Sequence, residues 1–198
     1  MLSRLSPYWL WVVLALPALP MIPQIISDPA AAKQLVHPTG EFAARFMIIA
    51  MLATPLMMLF RTRRWPRWLM HHRRHFGVAA FVYAALHLCF YLIKIGSLPA
   101  VLAEFGQFRI WTGWAAFAIF VPLAVTSNNL AQRLMRQKWK TLQRLTYGAA
   151  VLTFLHWAAL KDWGGLAPAL VHFTPVILLS AWRIWYWYLR PRPVRATA

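Results

Sequence analysis

Arg73-Arg74-His75-Phe76-Gly77 opens the stretch that decides the fold, and an apolar run follows it as far as Ala85-Leu86-His87-Leu88. At a rise of roughly 1.5 Å per residue, a helix over this run carries the imidazole of His87 about 16 Å beyond the basic edge. The run is long enough to span a membrane, where a titratable, metal-capable side chain is costly and marks a functional site. The stretch therefore predicts a membrane helix with a functional histidine.

The composition of the whole chain is that of an integral membrane protein. Its 198 residues are 61% hydrophobic and 13% charged, whereas about a quarter of the residues are charged in soluble domains. The net charge of +17 could indicate a nucleic-acid partner, but 12 Trp residues and several long apolar runs argue against one. With Cys89 as the single cysteine, the chain can form no internal disulfide, no Cys-x-x-Cys-His haem attachment and no iron–sulfur cluster. Any bound metal must rely mainly on histidine.

The apolar runs predict an all-α membrane protein, with a single domain over residues 1–198 and a bundle of six transmembrane helices. Thr39 is expected to cap the second helix. Pro17, Pro20 and Pro23 are expected to kink or break the outer half of the first helix. The predicted helices lie at about 8–26, 42–60, 76–93, 110–126, 145–160 and 168–188.

The distribution of charge predicts how the bundle is oriented. One set of loops contains all four acidic residues and only four basic ones, which are Lys33, Lys94, Arg109 and Lys161. Apart from the intramembrane Arg45, every other Lys and Arg lies on the opposite side. By the positive-inside rule, both termini and the two Arg-rich loops are cytoplasmic, and the short mixed loops are external.

Two histidines fall at nearly the same depth on helices that run in the same direction. His87 lies 13 residues after Arg74, and His156 lies 12 residues after Arg144. Two neutral imidazoles that face each other suit six-coordinate haem iron and favour electron transfer over oxygen chemistry. We therefore predict a b-type haem between the helices, with these two histidines as ligands.

Two other interpretations of the histidine pair stay open. Each histidine could donate one hydrogen bond to a helix carbonyl or a threonine and so merely hold helices together. A metal transporter would also use intramembrane histidines, but no intramembrane Asp or Glu accompanies this pair.

A second polar level lies nearer the cytoplasmic side. His75 precedes His87 by 12 residues, and Gln143 precedes His156 by 13 residues. Glutamine is a poor iron ligand, so the sequence favours one haem. The interpretation preferred for His75 is a solvated basic loop among lipid phosphates.

Further candidate residues surround the proposed haem. His37 and His172 could contact a haem edge, and Arg45 or Arg109 could pair with propionates. The chain contains no Gly-x-Gly-x-x-Gly motif and no soluble domain for a nicotinamide, so it needs an electron donor, either a cytoplasmic flavin protein or a membrane quinol. Four basic residues could receive that donor or a flavin phosphate, although anionic lipid would also explain them: Arg73, Arg74, Lys140 and Arg144.

Seven short motifs together resemble one family, the haem-binding membrane subunits of the bacterial periplasmic protein-methionine-sulfoxide reductase system. The wider relatives are the ferric-reductase-like transmembrane cytochromes, including the NADPH oxidases. The resemblance is clearest from Thr39 to Lys161. The motifs are His37-Pro38-Thr39-Gly40, Ala53-Thr54-Pro55-Leu56, Arg73-Arg74-x-x-Gly77, Leu86-His87-Leu88, Leu123-Ala124-x-Thr126-Ser127, Trp139-Lys140-x-Leu142-x-Arg144-Leu145-x-Tyr147 and Leu155-His156.

The resemblance implies a b-type cytochrome of the bacterial inner membrane. Such a subunit passes electrons to a periplasmic molybdopterin-containing reductase that repairs methionine sulfoxide in oxidised proteins. The resemblance also implies flavin mononucleotide (FMN), with a cytoplasmic flavin reductase or quinol as electron source. His87 and His156 match the haem histidines of the family, and His37 matches a further motif histidine.

The chain departs from the family at the second polar level. The family commonly has His where this chain has Gln143, and an apolar residue where this chain has His75. A second haem would therefore need His75 to compensate. Two alternative functions remain: a ferric-chelate reductase that uses the same haem, and a haem-free membrane anchor or transporter.

Overall fold

A computed structural model gives the structure of the protein and describes residues 7–190. All regular secondary structure in this part of the chain is helical, which confirms the all-α prediction. The chain termini, predicted to be cytoplasmic, lie outside the described residues. The α-helices are α1 (Pro7–Ala15), α2 (Met21–Ser27), α3 (Ala32–Leu59), α4 (Arg64–Ile95), α5 (Leu98–Glu104), α6 (Phe108–Val125), α7 (Asn129–Met135), α8 (Gln137–Gln143), α9 (Thr146–Ala158) and α10 (Leu166–Ile184).

Within residues 7–190, four helical segments are long and apolar enough to cross a membrane. Two of the six predicted spans are shorter than a bilayer requires. The first is divided into α1 and α2, and the fifth is α9, which has 13 residues and a length of about 20 Å. The four spanning segments are Pro29–Leu59, Arg64–Ile95, Phe108–Val125 and Leu166–Leu189.

Prolines break the first predicted helix between Ala15 and Met21. Pro17 and Pro20 have no N–H to continue the helical ladder. Ala18 donates its N–H to the carbonyl of Ala15 instead of that of Leu14. The expected break in the predicted helix at 8–26 therefore occurs, and it lies in the middle of the segment and divides it into α1 and α2.

The second predicted helix begins ten residues earlier than expected. Thr39 is not a cap, because it lies inside α3. The start signal is Asp28 followed by Pro29, since the carboxylate of Asp28 accepts a hydrogen bond of 2.9 Å from the N–H of Ala30. An acidic cap followed by proline begins a short 3-10 turn (Pro29–Ala31), which leads directly into α3.

The third predicted helix also begins earlier, because the basic residues before Phe76 are helical rather than a loop. α4 starts at Arg64 and places Pro66 in its first turn, where the missing N–H costs little. Its 32 residues span about 48 Å, more than the roughly 30 Å of a bilayer core. The Arg-rich end of α4 therefore extends beyond the apolar layer.

The remaining helices lie close to their predicted positions. α6 and α9 each agree with the prediction to within two residues at both ends. The last helix begins at Leu166 and ends in a π-helical turn, Trp185–Leu189. The second basic loop, predicted as irregular, contains the short helices α7 and α8.

Two helix pairs form the centre of the bundle. α3 packs along α4, α6 packs along α9, and α10 covers α3 and α9. Alanines dominate the buried core, as expected where helix backbones approach closely in a membrane. The main core contains Ala44, Met47, Ile48, Ala80, Phe120, Ala149, Ala150, Trp157, Ala158, Ala169, Phe173 and Val176.

Tyr83 compensates for the proline break. Its buried hydroxyl donates a 3.0 Å hydrogen bond to the carbonyl of Leu14 near the end of α1. We expect Tyr83→Phe to lower the free energy of unfolding by about 1 kcal/mol, because a buried carbonyl loses its donor. Thermal unfolding in detergent measures the change. The control Tyr188→Phe removes a hydroxyl from a side chain that is 82% exposed, and an equal loss in both variants would contradict the role of Tyr83.

Candidate functional site

A cavity of about 510 Å³ lies between α3, α4, α6 and α9. Its size falls within the range of about 300–1,000 Å³ typical of small-molecule and cofactor sites. Small and aromatic side chains form its walls, including Ala44, Ala84 and Phe117. Both His87 on α4 and His156 on α9 line it.

The two histidines predicted to act together lie opposite each other in this cavity. The centroids of their rings are 6.0 Å apart, and the ring planes are inclined at 84°. An iron atom bonded to one nitrogen of each ring would separate the centroids by about 6 Å, given a metal–imidazole bond of about 2.0 Å and about 1.1 Å from nitrogen to ring centre. The spacing therefore fits a metal held between the rings.

Backbone carbonyls of the facing helices fix the tautomer of each histidine. The Nδ1–H of His87 donates to the carbonyl of Val36 on α3, with a separation of 2.7 Å. The Nδ1–H of His156 donates to the carbonyl of Arg109 on α6. Because a carbonyl only accepts, the proton belongs on Nδ1 in both rings, and each Nε2 keeps a free lone pair. This tautomer is the one that an axial metal ligand requires.

Metal coordination by this pair would need further ligands. Among residues 7–190 no group of three His, Cys, Asp or Glu side chains is placed to hold a metal ion. A haem meets this requirement, since its macrocycle supplies four nitrogens and leaves two axial positions. The residues present therefore fit a haem, which His87 and His156 would hold.

Charged side chains line the mouth of the cavity at the C-terminal end of α4. They include the basic residues of the mixed loops and two acidic residues. Tyr91 donates a 3.0 Å hydrogen bond to the carboxylate of Glu104 there. Arg109, a predicted propionate partner, lies in this group. The charged and titratable residues at the mouth are Lys33, His37, Glu41, Lys94, Glu104, Arg109 and Lys161.

Arg45 and His172 lie together, away from the cavity wall. Arg45 donates to the Glu41 carboxylate at 2.7 Å and, through Nε, to Nε2 of His172 at 3.4 Å. His172 also packs against Trp157, with ring centroids 4.8 Å apart. His37 lies 3.5 Å from the other oxygen of Glu41. Arg45 is thus hydrogen-bonded to Glu41 and His172. His37 and Arg109 line the cavity.

His75 and Gln143 are not brought together. The ring of His75 packs against Trp11, with centroids 4.9 Å apart, on the side of α4 that faces α1. The amide of Gln143 donates to the carbonyl of Leu123 at 3.2 Å and lines a separate cavity of only about 50 Å³. That cavity does not include His75, so the idea that His75 compensates for Gln143 is not supported by their positions.

The four basic residues predicted to receive a donor lie at the opposite end of the bundle from the cavity mouth. Arg74 bridges to α7, where it donates to the side chains of Asn129 and Gln132 at 2.7 and 3.2 Å. Arg73, Lys140 and Arg144 are exposed. The guanidinium of Arg74 is therefore hydrogen-bonded to α7, and the other three side chains are exposed at the surface.

Sequence reasoning did not place four residues beside the two histidines: Thr39, Gly40, Thr112 and Gly113. Gly40 and Gly113 lie against the rings of His87 and His156, respectively. Each follows a threonine, Thr39 or Thr112, that is 0% exposed. The sequence feature that could have indicated these residues is the Thr-Gly dipeptide, which occurs twice in the chain.

The fold and the cavity define a multi-pass helical membrane protein with a paired-histidine site. The chain belongs to the family described as "Ferric reductase like transmembrane component", whose model matches residues 39–154. The matched range includes His87 and most of the helices that enclose the cavity, and it ends two residues before His156. No solved structure matches the chain.

Curated relatives place the chain more narrowly and confirm the resemblance seen in its motifs. It is 36% identical over 156 residues to the "Protein-methionine-sulfoxide reductase heme-binding subunit MsrQ" of Rhizobium meliloti (strain 1021), over 77% of this chain and 69% of that protein. The MsrQ protein of Brucella ovis is 32% identical over 173 residues, which cover 85% of this chain and 74% of that protein.

The contact between Glu41 and Arg45 predicts energetic coupling between them. We expect a double-mutant cycle of Glu41→Gln and Arg45→Met to give a coupling of about 0.5 kcal/mol, because the two groups are in contact but the Arg45 side chain is 40% exposed. Unfolding in detergent measures each variant. The matched cycle of Glu41→Gln with His37→Ala should give a smaller value, since His37 is 67% exposed. If the coupling energy of Glu41 with Arg45 is no larger than that with His37, Arg45 is not the main partner of Glu41.

Proposed function

We propose that the chain is a haem b electron-transfer subunit of the bacterial inner membrane. It delivers electrons to a periplasmic molybdopterin-containing reductase that repairs methionine sulfoxide in oxidised proteins. The observation that carries the proposal is the pair of imidazoles in one cavity, with centroids 6.0 Å apart and both Nδ1 atoms committed to backbone carbonyls. The names of the relatives, heme-binding subunits of a methionine sulfoxide reductase, supply the reaction context.

In this proposal His87 and His156 would hold the haem through Nε2. The haem would supply one-electron redox chemistry. Two histidine ligands would leave no position for oxygen, which favours electron transfer over oxygen binding. The cations at the cavity mouth, Lys33, Lys94, Arg109 and Lys161, would pair with the haem propionates.

One haem per chain is the proposed count. The cavity lined by Gln143 has a volume of about 50 Å³, an order of magnitude below the cavity between the histidines. The Gln143 amide is already used in a hydrogen bond to Leu123. His75 faces α1 and Trp11 rather than Gln143.

The proposed orientation places the Arg-rich end of α4 in the cytoplasm and the cavity mouth toward the periplasm. The positive-inside rule supports it, because the basic residues concentrate at that end. Arg73, Lys140 and Arg144 are exposed there. They would receive the electron donor, a cytoplasmic flavin reductase with FMN or a membrane quinol.

Substitution of the two histidines tests the proposed ligands. We expect His87→Ala and His156→Ala each to abolish the low-spin b-type bands in a reduced-minus-oxidised visible spectrum, because each removes one axial ligand. The control Gln143→Ala should keep them, and the parent protein should contain about one haem per chain. Full haem retention in both histidine variants would refute the ligand assignment, and a ratio near two would refute the single site.

A partner assay separates the proposed role from that of a ferric-chelate reductase. Membranes with the chain and its reductase subunit should reduce methionine sulfoxide in a test protein, and omission of either component should stop the reaction. His156→Ala serves as the matched inactive chain. Rapid reduction of ferric chelates by the chain alone, with no dependence on the reductase subunit, would contradict the proposal.

A further inference from the structure

Each histidine of the cavity contacts the same arrangement of residues in the facing helix. His87 lies against Val36-His37-Pro38-Thr39-Gly40 of α3, and His156 lies against Arg109-Ile110-Trp111-Thr112-Gly113 of α6. In both, the first residue supplies the carbonyl, the fourth is threonine and the fifth is glycine. We call Val36, Thr39 and Gly40 the first seat, and Arg109, Thr112 and Gly113 the second seat.

The glycines leave room that the imidazoles fill. A Cβ added to Gly40 would lie 2.9 Å from Nδ1 and 3.0 Å from Cε1 of His87. A Cβ added to Gly113 would lie 2.8 Å from Nδ1 and 2.9 Å from Cε1 of His156. Both contacts are well below the roughly 3.5–4.0 Å of ordinary heavy-atom packing, so a side chain at either position would displace the ring.

Helix geometry explains why the glycine stands four residues after the carbonyl. A carbonyl in a helix points toward the residue four positions later, and the Cβ of that residue is tilted back toward the N-terminus. A side chain at that position therefore overhangs the carbonyl and blocks a donor from another helix. Gly40 and Gly113 remove this overhang, which opens the carbonyls of Val36 and Arg109 to the histidines.

The threonines act on the same two carbonyls. The hydroxyl of Thr39 lies 2.8 Å from the carbonyl of Leu35 and 2.9 Å from that of Val36. The hydroxyl of Thr112 lies 2.7 Å from the carbonyl of Phe108 and 3.3 Å from that of Arg109. Each carbonyl that accepts from a histidine is thus also within reach of a threonine donor. Such a second donor weakens the carbonyl as an acceptor for the imidazole N–H.

We propose that the two seats are a duplicated positioning device for the haem ligands. In each, the glycine sets the distance and orientation of the imidazole, and the threonine sets how strongly the carbonyl polarises its Nδ1–H. Groups that orient a metal-bound histidine through its second nitrogen tune both the affinity and the electronics of the metal. The device rests on the proposed function, because it acts on His87 and His156 as iron ligands.

Other helical glycines provide matched controls. Gly77 lies ten residues before His87 on α4, and a Cβ there would meet nothing within 4 Å. Gly148 lies eight residues before His156 on α9, and its nearest neighbour would be Ile119 Cδ1 at 4.0 Å. Alanine at these positions adds a methyl group to each histidine helix without touching a ring.

The glycines are tested by Gly40→Ala and Gly113→Ala. We expect each to lower haem affinity by about tenfold or more and to convert the residual haem from low spin to high spin, because one ligand is displaced. Gly77→Ala and Gly148→Ala should keep the parental spectrum. Parental haem content and spin state in both seat variants would overturn the glycine assignment, as would equal losses in the control variants.

A stability cycle tests the same contact in haem-free protein. We expect Gly40→Ala to destabilise the parent chain but to cost much less in the His87→Ala background, where the ring is absent. The same should hold for Gly113→Ala with and without His156→Ala. A cost independent of the histidine would overturn the proposal even if a seat variant does not fold well enough to bind haem.

The threonines are tested through the midpoint potential of the haem. Valine keeps the shape of threonine but removes the donor, so the carbonyl accepts more strongly from Nδ1–H and the imidazole becomes a better donor to ferric iron. We therefore expect Thr39→Val and Thr112→Val to lower the potential or to lose the haem, and Thr39→Ser and Thr112→Ser to keep the parental value. Equal values in the valine and serine variants would overturn the role of the hydroxyls.

The outcomes distinguish the seats from the function on which they rest. A parent protein without haem, or histidine variants that keep it, would refute the proposed function itself. A parent protein with haem that is lost in His87→Ala and His156→Ala but unchanged in all seat variants would refute only the seats.

Discussion

The structure depends on two hydrogen bonds that cross between helices, from His87 to the carbonyl of Val36 and from His156 to that of Arg109. In the membrane interior no water replaces a missing partner, so each polar group must find one in the protein. These bonds connect α4 to α3 and α9 to α6, the two pairs that form the centre of the bundle. They also leave the Nε2 of each ring with its lone pair available.

The need of backbone groups for hydrogen-bond partners also explains the irregular parts of the fold. Where Pro17 interrupts the first helix, the hydroxyl of Tyr83 takes over the carbonyl of Leu14. Where the chain enters α3, the carboxylate of Asp28 accepts the N–H of Ala30. Side chains thus complete the backbone hydrogen bonding at places where the helical ladder ends.

Periodicity and charge predicted the helical class, the membrane character and the last three helix positions, because these follow from the length of apolar runs. The starts of α3 and α4 were missed, since polar and Arg-rich segments such as 64–75 can be helical once they extend a buried helix. The pairing of His87 with His156 was predictable from their matched depth. The proximity of Gly40 and Gly113 was not, because the rotation of a helix about its own axis depends on packing against its neighbours. The partnership of Arg45 with His172 is likewise set by the tertiary packing of α10 on α3.

In the proposed function, carbonyls of the facing helices hold both imidazoles as iron ligands, and the planes of the two rings are inclined at 84°. Low-temperature electron paramagnetic resonance of the ferric protein is sensitive to both features, because the signal depends on ligand number and on the angle between imidazole planes. We expect a low-spin signal of strong anisotropy, as given by two perpendicular imidazoles. A high-spin signal, or a low-spin signal of the rhombic kind given by parallel imidazole planes, would contradict this proposal.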